Sequence, residues 1–475
     1  MMSNNMMKPW SRFLLLSLAC VAGCQPYLPM SLKPEVVNRE LAVPPDEVLR
    51  VRARDIRHPL LQPLELNYRD GLSPDEAAVL AVLVNPSLRA ERDRRALASA
   101  QLLTAGILPN PQLSAALDIP TGGNDANTVN GHSIGLNWDV TALITRGARQ
   151  TAAAAELDSV DLDVAWQEWQ VAQTARTALF DLVALQAQAA QAGLVDHNLA
   201  ENLEILRRAV EQHEKTVIDL AAAEAASQDA HAVLLGLRQD LRHQQLVLNQ
   251  SLGLPPNASV RPEAGVVLPS TVRLPSEQQL MEAVEDRRLD LLALKRGYES
   301  QEETLRAAVL AQFPKINLGF NRASDTSNVD TTGFGVSIDL PIFDRNQGGI
   351  ATEQATRQKL YDEYLNRLFE ARSQIAMSLA DIRSLMEQIA AAESAIPVLE
   401  TLVSTYRDAL EQGNADVLSY YTAVGNLAQR RLDLLKLKQQ LVQNRIALEI
   451  AAGQYLPDEL PSSASRLSTR SLPEQ

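Results

Sequence analysis

The sequence predicts a mostly α-helical chain with a small β part, built from two copies of one unit. Three observations predict it. Hydrophobic residues make up 46% of the 475 positions but aromatic residues only 4%. That Ala/Leu-rich balance suits long helices better than a compact enzyme core. Long segments free of proline carry strong helix formers, and four shorter segments alternate apolar and polar residues with period two. Finally, the order helix, strand pair, long helix, break, helix occurs twice.

The first residues form a leader. Lys8 and Arg12 precede the apolar run Phe13 to Ala22, which is too short to stay in a bilayer as a helix and fits a secretory signal, residues 1–23. Val21-Ala22-Gly23-Cys24 resembles a lipobox, so Cys24 is the expected lipid-attachment residue; Gln25 rather than Asp follows it, which implies outer-membrane sorting. The only two cysteines are Cys20 and Cys24, so the body can hold no disulfide and no thiolate metal site. Residues 24–71 are rich in proline and are expected to form a lipid-anchored, extended tether. No apolar run long enough for a membrane helix is expected after the leader.

The first repeat is placed at 72–256. Ser73-Pro74-Asp75-Glu76 reads as a helix start. That helix breaks at Asn85-Pro86 and resumes from Ser87 to about Ile107. Pro109-Asn110-Pro111 stops it, and Leu113, Ala115, Leu117 and Ile119 then alternate with Gln112, Ser114, Ala116 and Asp118. A polar loop leads to Ile134, Leu136, Trp138 and Val140, alternating with Ser133, Gly135, Asn137 and Asp139. From Gly147 to Gln212 a helix of roughly 65 residues, about 100 Å long, is predicted. After the patch from His213 to Asp219, another helix reaches Leu252.

The second repeat, 257–456, follows the same order. Pro275 to Leu310 reads as one helix. Ile316, Leu318 and Phe320, then Phe334, Val336, Ile338 and Leu340, mark two more strands. A long helix to Gln412 and a closing helix to Gln454 flank a break at Gly413 to Asp416. The Ser/Pro-rich residues 457–475 are expected to be a disordered tail. Ala209-Val210-Glu211-Gln212 matches Ala409-Leu410-Glu411-Gln412, and Pro111-Gln112-Leu113 matches Pro314-Lys315-Ile316, at an offset of about 200. Two positions break the correspondence: Thr141 stands against Pro341, and His213 against Gly413. The first break is therefore expected to differ in shape from the second.

Four such strands suit either a soluble two-sheet packing or an outer-membrane barrel with an apolar row toward lipid and a polar row toward a lumen. In lipid an open four-stranded sheet would leave its edge N–H and C=O groups unpaired, so the strands would close with other copies. The polar row Asn137, Asp139, Asn317 and Asp339 would then line water, and the helices, far longer than a barrel is tall, would project away from the membrane.

Four runs carry a family resemblance: Ala81 to Leu88, Leu108-Pro109-Asn110-Pro111, Gly413 to Leu418, and above all Leu340-Pro341-Ile342-Phe343-Asp344-Arg345-Asn346-Gln347-Gly348. Over residues 72–455 the chain resembles the TolC-like outer-membrane efflux proteins, and within them the branch that serves tripartite cation and drug exporters. The resemblance implies a homotrimer with a twelve-stranded transmembrane β-barrel and a periplasmic α-barrel of long helical hairpins. It further implies docking to a periplasmic adaptor and, through it, to an inner-membrane pump, with passive export to the outside. By resemblance the tips Val217, Ile218, Asp219 and Leu220, and Gly413, Asp416, Val417 and Leu418, face the adaptor and narrow the entrance; equally, Gly and Asn are ordinary in hairpin turns. Asp416 is the charge expected nearest the aperture.

Other function classes find little support. A net charge of -14 disfavours nucleic acid. No nucleophile–base pair, phosphate loop or paired-acid pocket is evident, so no enzyme and no cofactor is expected. The six histidines show no metal-ligand spacing, and Glu302-Glu303 reads as a solvated helix face. Trp138 suits either an aromatic girdle or packing at a strand end. The alternatives are a type I protein-secretion outlet of the same fold, or a lipid-anchored structural coiled coil without a pore. The latter leaves the four alternating strands unexplained.

Overall fold

The computed structural model describes residues 27–67, 70–123 and 127–457. The leader, the predicted lipid-attachment residue Cys24 and the predicted tail beyond 457 lie outside the described residues. The chain divides into two compact units, residues 1–44 and 45–475. The first contributes one short helix, α1 (Pro34–Glu40), with proline in its first turn and no buried residue.

In the second unit the proline-rich segment is not the extended tether expected. Helix α2 (Asp46–Arg54) buries Leu49 and Ala53 completely, and Leu61 and Leu66 are each only 2% exposed. Pro45 sits at the N-cap of α2, where a fixed φ costs the helix nothing. Proline frequency reported backbone stiffness; the apolar residues between the prolines decided the packing.

The two repeats follow in parallel. Helix α3 (Pro74–Val84) starts on a capping box in which Ser73 and Glu76 satisfy each other's backbone donors. Helix α4 (Ser87–Gly106) follows the break at Asn85-Pro86. Strands β1 (Gln112–Asp118) and β2 (Gly131–Asp139) come next, then helix α5 (Ala142–Glu211) and helix α6 (Val217–Leu252). The second repeat opens with α7 (Glu277–Arg287), capped by Ser276 and Gln279 in the same reciprocal way. Then come α8 (Leu289–Leu310), β3 (Lys315–Ser324), β4 (Asp330–Asp339), α9 (Gln347–Glu411) and α10 (Val417–Ala452).

The expected single helix from Pro275 to Leu310 is in fact broken at Arg288, whose ψ of 113° is extended. No proline marks the place. Arg288 is held there by its own contacts, donating to Asp290 at 2.8 Å and lying 5.0 Å over the Trp166 ring. Conversely, α9 runs straight through Pro397, so one missing N–H does not end a helix supported along its length.

Helix α5 has 70 residues, roughly 105 Å at 1.5 Å per residue. It packs on α3, α4, α6, α8 and α10, while α9 packs on α7, α8 and α10. The buried stripes are narrow and rich in Ala and Leu. Trp166, Trp169, Ala172 and Leu289 meet Leu61, Ala78, Val82 and Leu88 in one cluster. Ile375, Leu379, Ile382 and Leu448 anchor the equivalent cluster of the second repeat. Helix α5 also carries an 18-residue window of mean hydropathy 1.3, so by length and composition one helix meets the measure of a membrane span that was not expected after the leader. A third of that window (33%) is buried within this chain.

Candidate functional site

The four strands form one antiparallel sheet in the order β1-β2-β3-β4. Its register sorts the side chains onto two faces, because directly opposed residues share a face. Leu113 opposes Leu136, which opposes Phe320, which opposes Phe334. Trp138, Leu318 and Val336 form the next row, and Ile316 and Ile338 the last. On the other face Asp139 opposes Asn317, which opposes Ser337; Asn137 opposes Gly319; Lys315 opposes Asp339. The four positions predicted to line a lumen, Asn137, Asp139, Asn317 and Asp339, therefore lie on one face. Glycine on this polar face makes room for long amides. A Cβ at Gly319 would fall 2.9 Å from Asn137 Oδ1.

The apolar face is uncovered in the single chain. Phe334 is 86% exposed, and Leu113 75%. β1 and β4 each leave one edge unpaired within the sheet. A free edge next to a bare apolar face is unstable in water and impossible in lipid unless it is closed by further strands. The lengths, seven to ten residues, are close to what a tilted strand needs to cross a bilayer.

Where the sheet meets the helices, Thr141 accepts the Ile316 N–H through its hydroxyl at 2.7 Å, and its own N–H donates to Asp139 at 2.8 Å. The mismatch with Pro341 thus has a physical content. Thr141 lies next to an interior strand and supplies an acceptor there, whereas Pro341 follows the edge strand, where a missing N–H is tolerated. Trp138 donates its indole N–H to the Pro109 carbonyl at 2.9 Å, fixing the strand end against the preceding loop.

The tips at the other end of the helices are more alike than the sequence suggests. His213 has φ 59° and Gly413 φ 73°, both left-handed. Glu214 N–H donates to the Ala209 carbonyl at 2.9 Å, and Asn414 N–H to Ala409 at 2.8 Å. Both helices therefore end in the same wrap-around turn, and the expected difference in backbone shape does not occur. The difference lies in the caps. Thr216 and Asp219 form a capping box, whereas Asp416 is itself the N-cap and accepts from the backbone and hydroxyl of Ser419 at 2.8 and 2.7 Å. Those two Ser419 bonds hold the Asp416 carboxyl below the usual carboxylate range.

Exposure separates the predicted tip residues. Ile218, Val217 and Leu418 are exposed. Asp219 and Leu220 are half-buried, and Gly413 and Asp416 are exposed. Val417, predicted as a docking residue, is buried against Leu199, Ala223 and Tyr421; it packs this chain's own tip. Beside that cluster a groove of about 390 Å³ lies between α5, α6 and α10, lined by Val195, Ala226, Val233, Tyr421 and Leu432 among others.

Two residues hold contacts that their spacing in the sequence does not single out, His58 and Arg288. For His58 the available signal was His58-Pro59-Leu60-Leu61: an acceptor side chain, a residue without N–H and two apolar residues that demand burial. Among the described residues no cluster of His, Cys, Asp and Glu is arranged to hold a metal.

Comparisons with known proteins agree with this architecture. Residues 280–454 match the family model for the outer membrane efflux protein. The chain is 27% identical over 261 residues to the cation efflux system protein CusC of Escherichia coli, covering 53% of each. It is 28% identical over 151 residues to the cobalt-zinc-cadmium resistance protein CzcC of Cupriavidus metallidurans, covering 30% of this chain and 35% of the relative. The chain thus matches these curated relatives over about half of their length or less. A crystal structure of CusC superposes with a TM-score of 0.70 at 20% identity, covering 84% of this chain and 98% of that one. Residues 280–454 thus match the outer membrane efflux protein family, and the internally doubled helix–strand–helix order of the chain has the same fold as the CusC structure.

Proposed function

We propose that the chain is the outer-membrane exit duct of a tripartite efflux system, passive in itself and driven by its partners. The observation that carries this reading is the four-stranded sheet: one face apolar, one face polar, both edges open, joined to helices of roughly 100 Å. Three copies close twelve strands into a barrel wide enough for a water-filled lumen. Asn137, Asp139, Asn317 and Asp339 line it, and the apolar face, with Phe334 and Val336, meets lipid. The long helices of three copies assemble into an α-barrel in the periplasm. Ile218, Val217, Leu418 and Asp416 form its far rim, facing a periplasmic adaptor that links it to an inner-membrane pump. Cys24 carries the lipid anchor. The names of CusC and CzcC point to metal cations as the exported class, and the acidic rim and polar row suit cations.

The test is functional reconstitution. Purified protein in planar bilayers gives discrete, cation-preferring conductance steps, and deletion of the gene sensitises the cell to transition-metal salts. A detergent-soluble monomer with no conductance, together with unchanged metal tolerance, contradicts the reading.

A further inference from the structure

We propose that His58 is a proton-operated latch that holds the segment of residues 56–66 onto the helical body when neutral and loosens it when protonated. The geometry assigns the ring's protonation without ambiguity. Nδ1 lies 3.0 Å from the Leu60 N and 3.1 Å from the Leu61 N. Both neighbours are donors, so Nδ1 accepts and carries no proton. Nε2 lies 2.9 Å from the Ala165 carbonyl oxygen, which only accepts, so Nε2 carries the proton. Pro59 between His58 and Leu60 has no N–H, which leaves the next two amides for the ring. The side chain is only 2% exposed. A neutral imidazole satisfies all three backbone groups at once. A second proton on Nδ1 points at two N–H groups and breaks both bonds.

The charges around the ring act in both directions: Glu168 favours that second proton, and Arg95 and Arg92 oppose it. From α5, Glu168 lies 4.0 Å from Nε2, but it is already engaged by Arg92 at 2.6 Å and by Arg95 at 3.7 Å, both from α4. Those two cations repel an imidazolium. Arg57, next to His58 in the chain, is exposed, and Arg288 over Trp166 and Arg176 over Tyr455 are paired with Asp290 and Glu449. From α3 and α8 the segment meets Ala78, Val82 and Leu289 through Leu61, none of which titrates. Burial, the largest influence, moves the His58 pKa below its ordinary value. The sign follows: the latch contributes its full stability above the ordinary histidine pKa of about 6.5 and loses it as pH falls through the lower folded value. On the reading above, the segment joins the membrane-anchored end of the chain to the duct body, in a compartment open to the pH of the medium.

The test is hydrogen exchange of the full-length protein in detergent, following a peptide over residues 56–66 between about pH 7.5 and pH 5 and correcting for intrinsic rates. Protection of this peptide falls by up to about tenfold per pH unit below about pH 6.5, while peptides from the middle of α6 stay level. His58→Asn keeps a side-chain acceptor for the Leu60 and Leu61 amides and does not titrate, so its protection is lower at neutral pH but flat. The proposal is overturned if the wild-type peptide is flat, if His58→Asn keeps the wild-type slope, or if α6 loses protection in step. The readout does not depend on whether the protein conducts.

Discussion

Gly453 closes helix α10 directly on the backbone of Arg288: a Cβ at this glycine would lie 2.7 Å from the Arg288 Cα. In the first repeat Gly253 closes α6 on Asn85 in the same way, with the corresponding distance 2.5 Å. Each repeat thus locks the end of its last helix into the break of its first. Both glycines are left-handed, with φ 66° and 74°. Gly453→Ala combines a forbidden backbone with backbone overlap, and is expected to destabilise by at least about 1 kcal/mol from the conformation alone. Thermal melting of the purified protein reads the loss; Gly425→Ala, a helical position with open space around it, serves as the control and is expected to raise stability slightly.

The same helix end carries a buried charge. Arg176 donates to Glu449, which is fully buried and also accepts from the Leu456 N–H at 3.3 Å. Glu449→Ala leaves the buried guanidinium with Asp75, 3.8 Å away, as its remaining ion partner, and destabilisation of up to about 3 kcal/mol is expected. The double substitution Arg176→Met with Glu449→Leu removes both charges and recovers most of that loss. Urea unfolding of both variants checks the order; a double variant as unstable as the single one contradicts it.

How much of this was legible beforehand depended on the kind of signal. Period-two alternation placed the four strands, and the pairing register put Asn137, Asp139, Asn317 and Asp339 on one face, because alternation is a local property. The break at Arg288 was hidden from a local reading, since no proline or glycine marks it and Arg288 is held by Asp290 two residues on and by the distant Trp166 ring. Val417 reads as a tip residue from its position but is buried by Leu199, some two hundred residues away. The docking of residues 45–66 was masked by their prolines, whose stiffness says nothing about which face the intervening leucines turn inward.

His213 occupies a left-handed position that glycine holds in the second tip. A non-glycine residue there carries about 1 kcal/mol of backbone strain. His213→Gly relieves it and is expected to slow hydrogen exchange of residues 209–216 by a few-fold, with part of the gain offset by the added freedom of the unfolded chain. Faster exchange in the variant contradicts the shared-turn geometry.

Asp416 combines a charge with a structural cap, and one substitution separates them. Asparagine caps helices as well as aspartate does, so Asp416→Asn keeps the first turn of α10 at neutral pH while weakening any cation preference of the pore. In the wild type the Ser419 bonds depress the carboxyl pKa. The capping contribution is therefore complete above the ordinary aspartate pKa near 3.8 and is lost as pH falls through the lower folded value. Ser419→Ala brings that loss to higher pH. Exchange rates of residues 417–420 and reversal potentials in a salt gradient measure the two effects independently.

Closure of the open sheet edges between copies is the claim on which the duct reading stands, and residues 25–475 contain no cysteine to confuse a cross-linking test. Ser114→Cys on β1 can be paired in turn with cysteine in place of Thr331, Gly333, Gly335 or Ser337 on β4, all on the same polar face by register. Oxidation in native outer membranes is expected to give a covalent trimer from one of these registers. Monomer alone from every pairing contradicts the account.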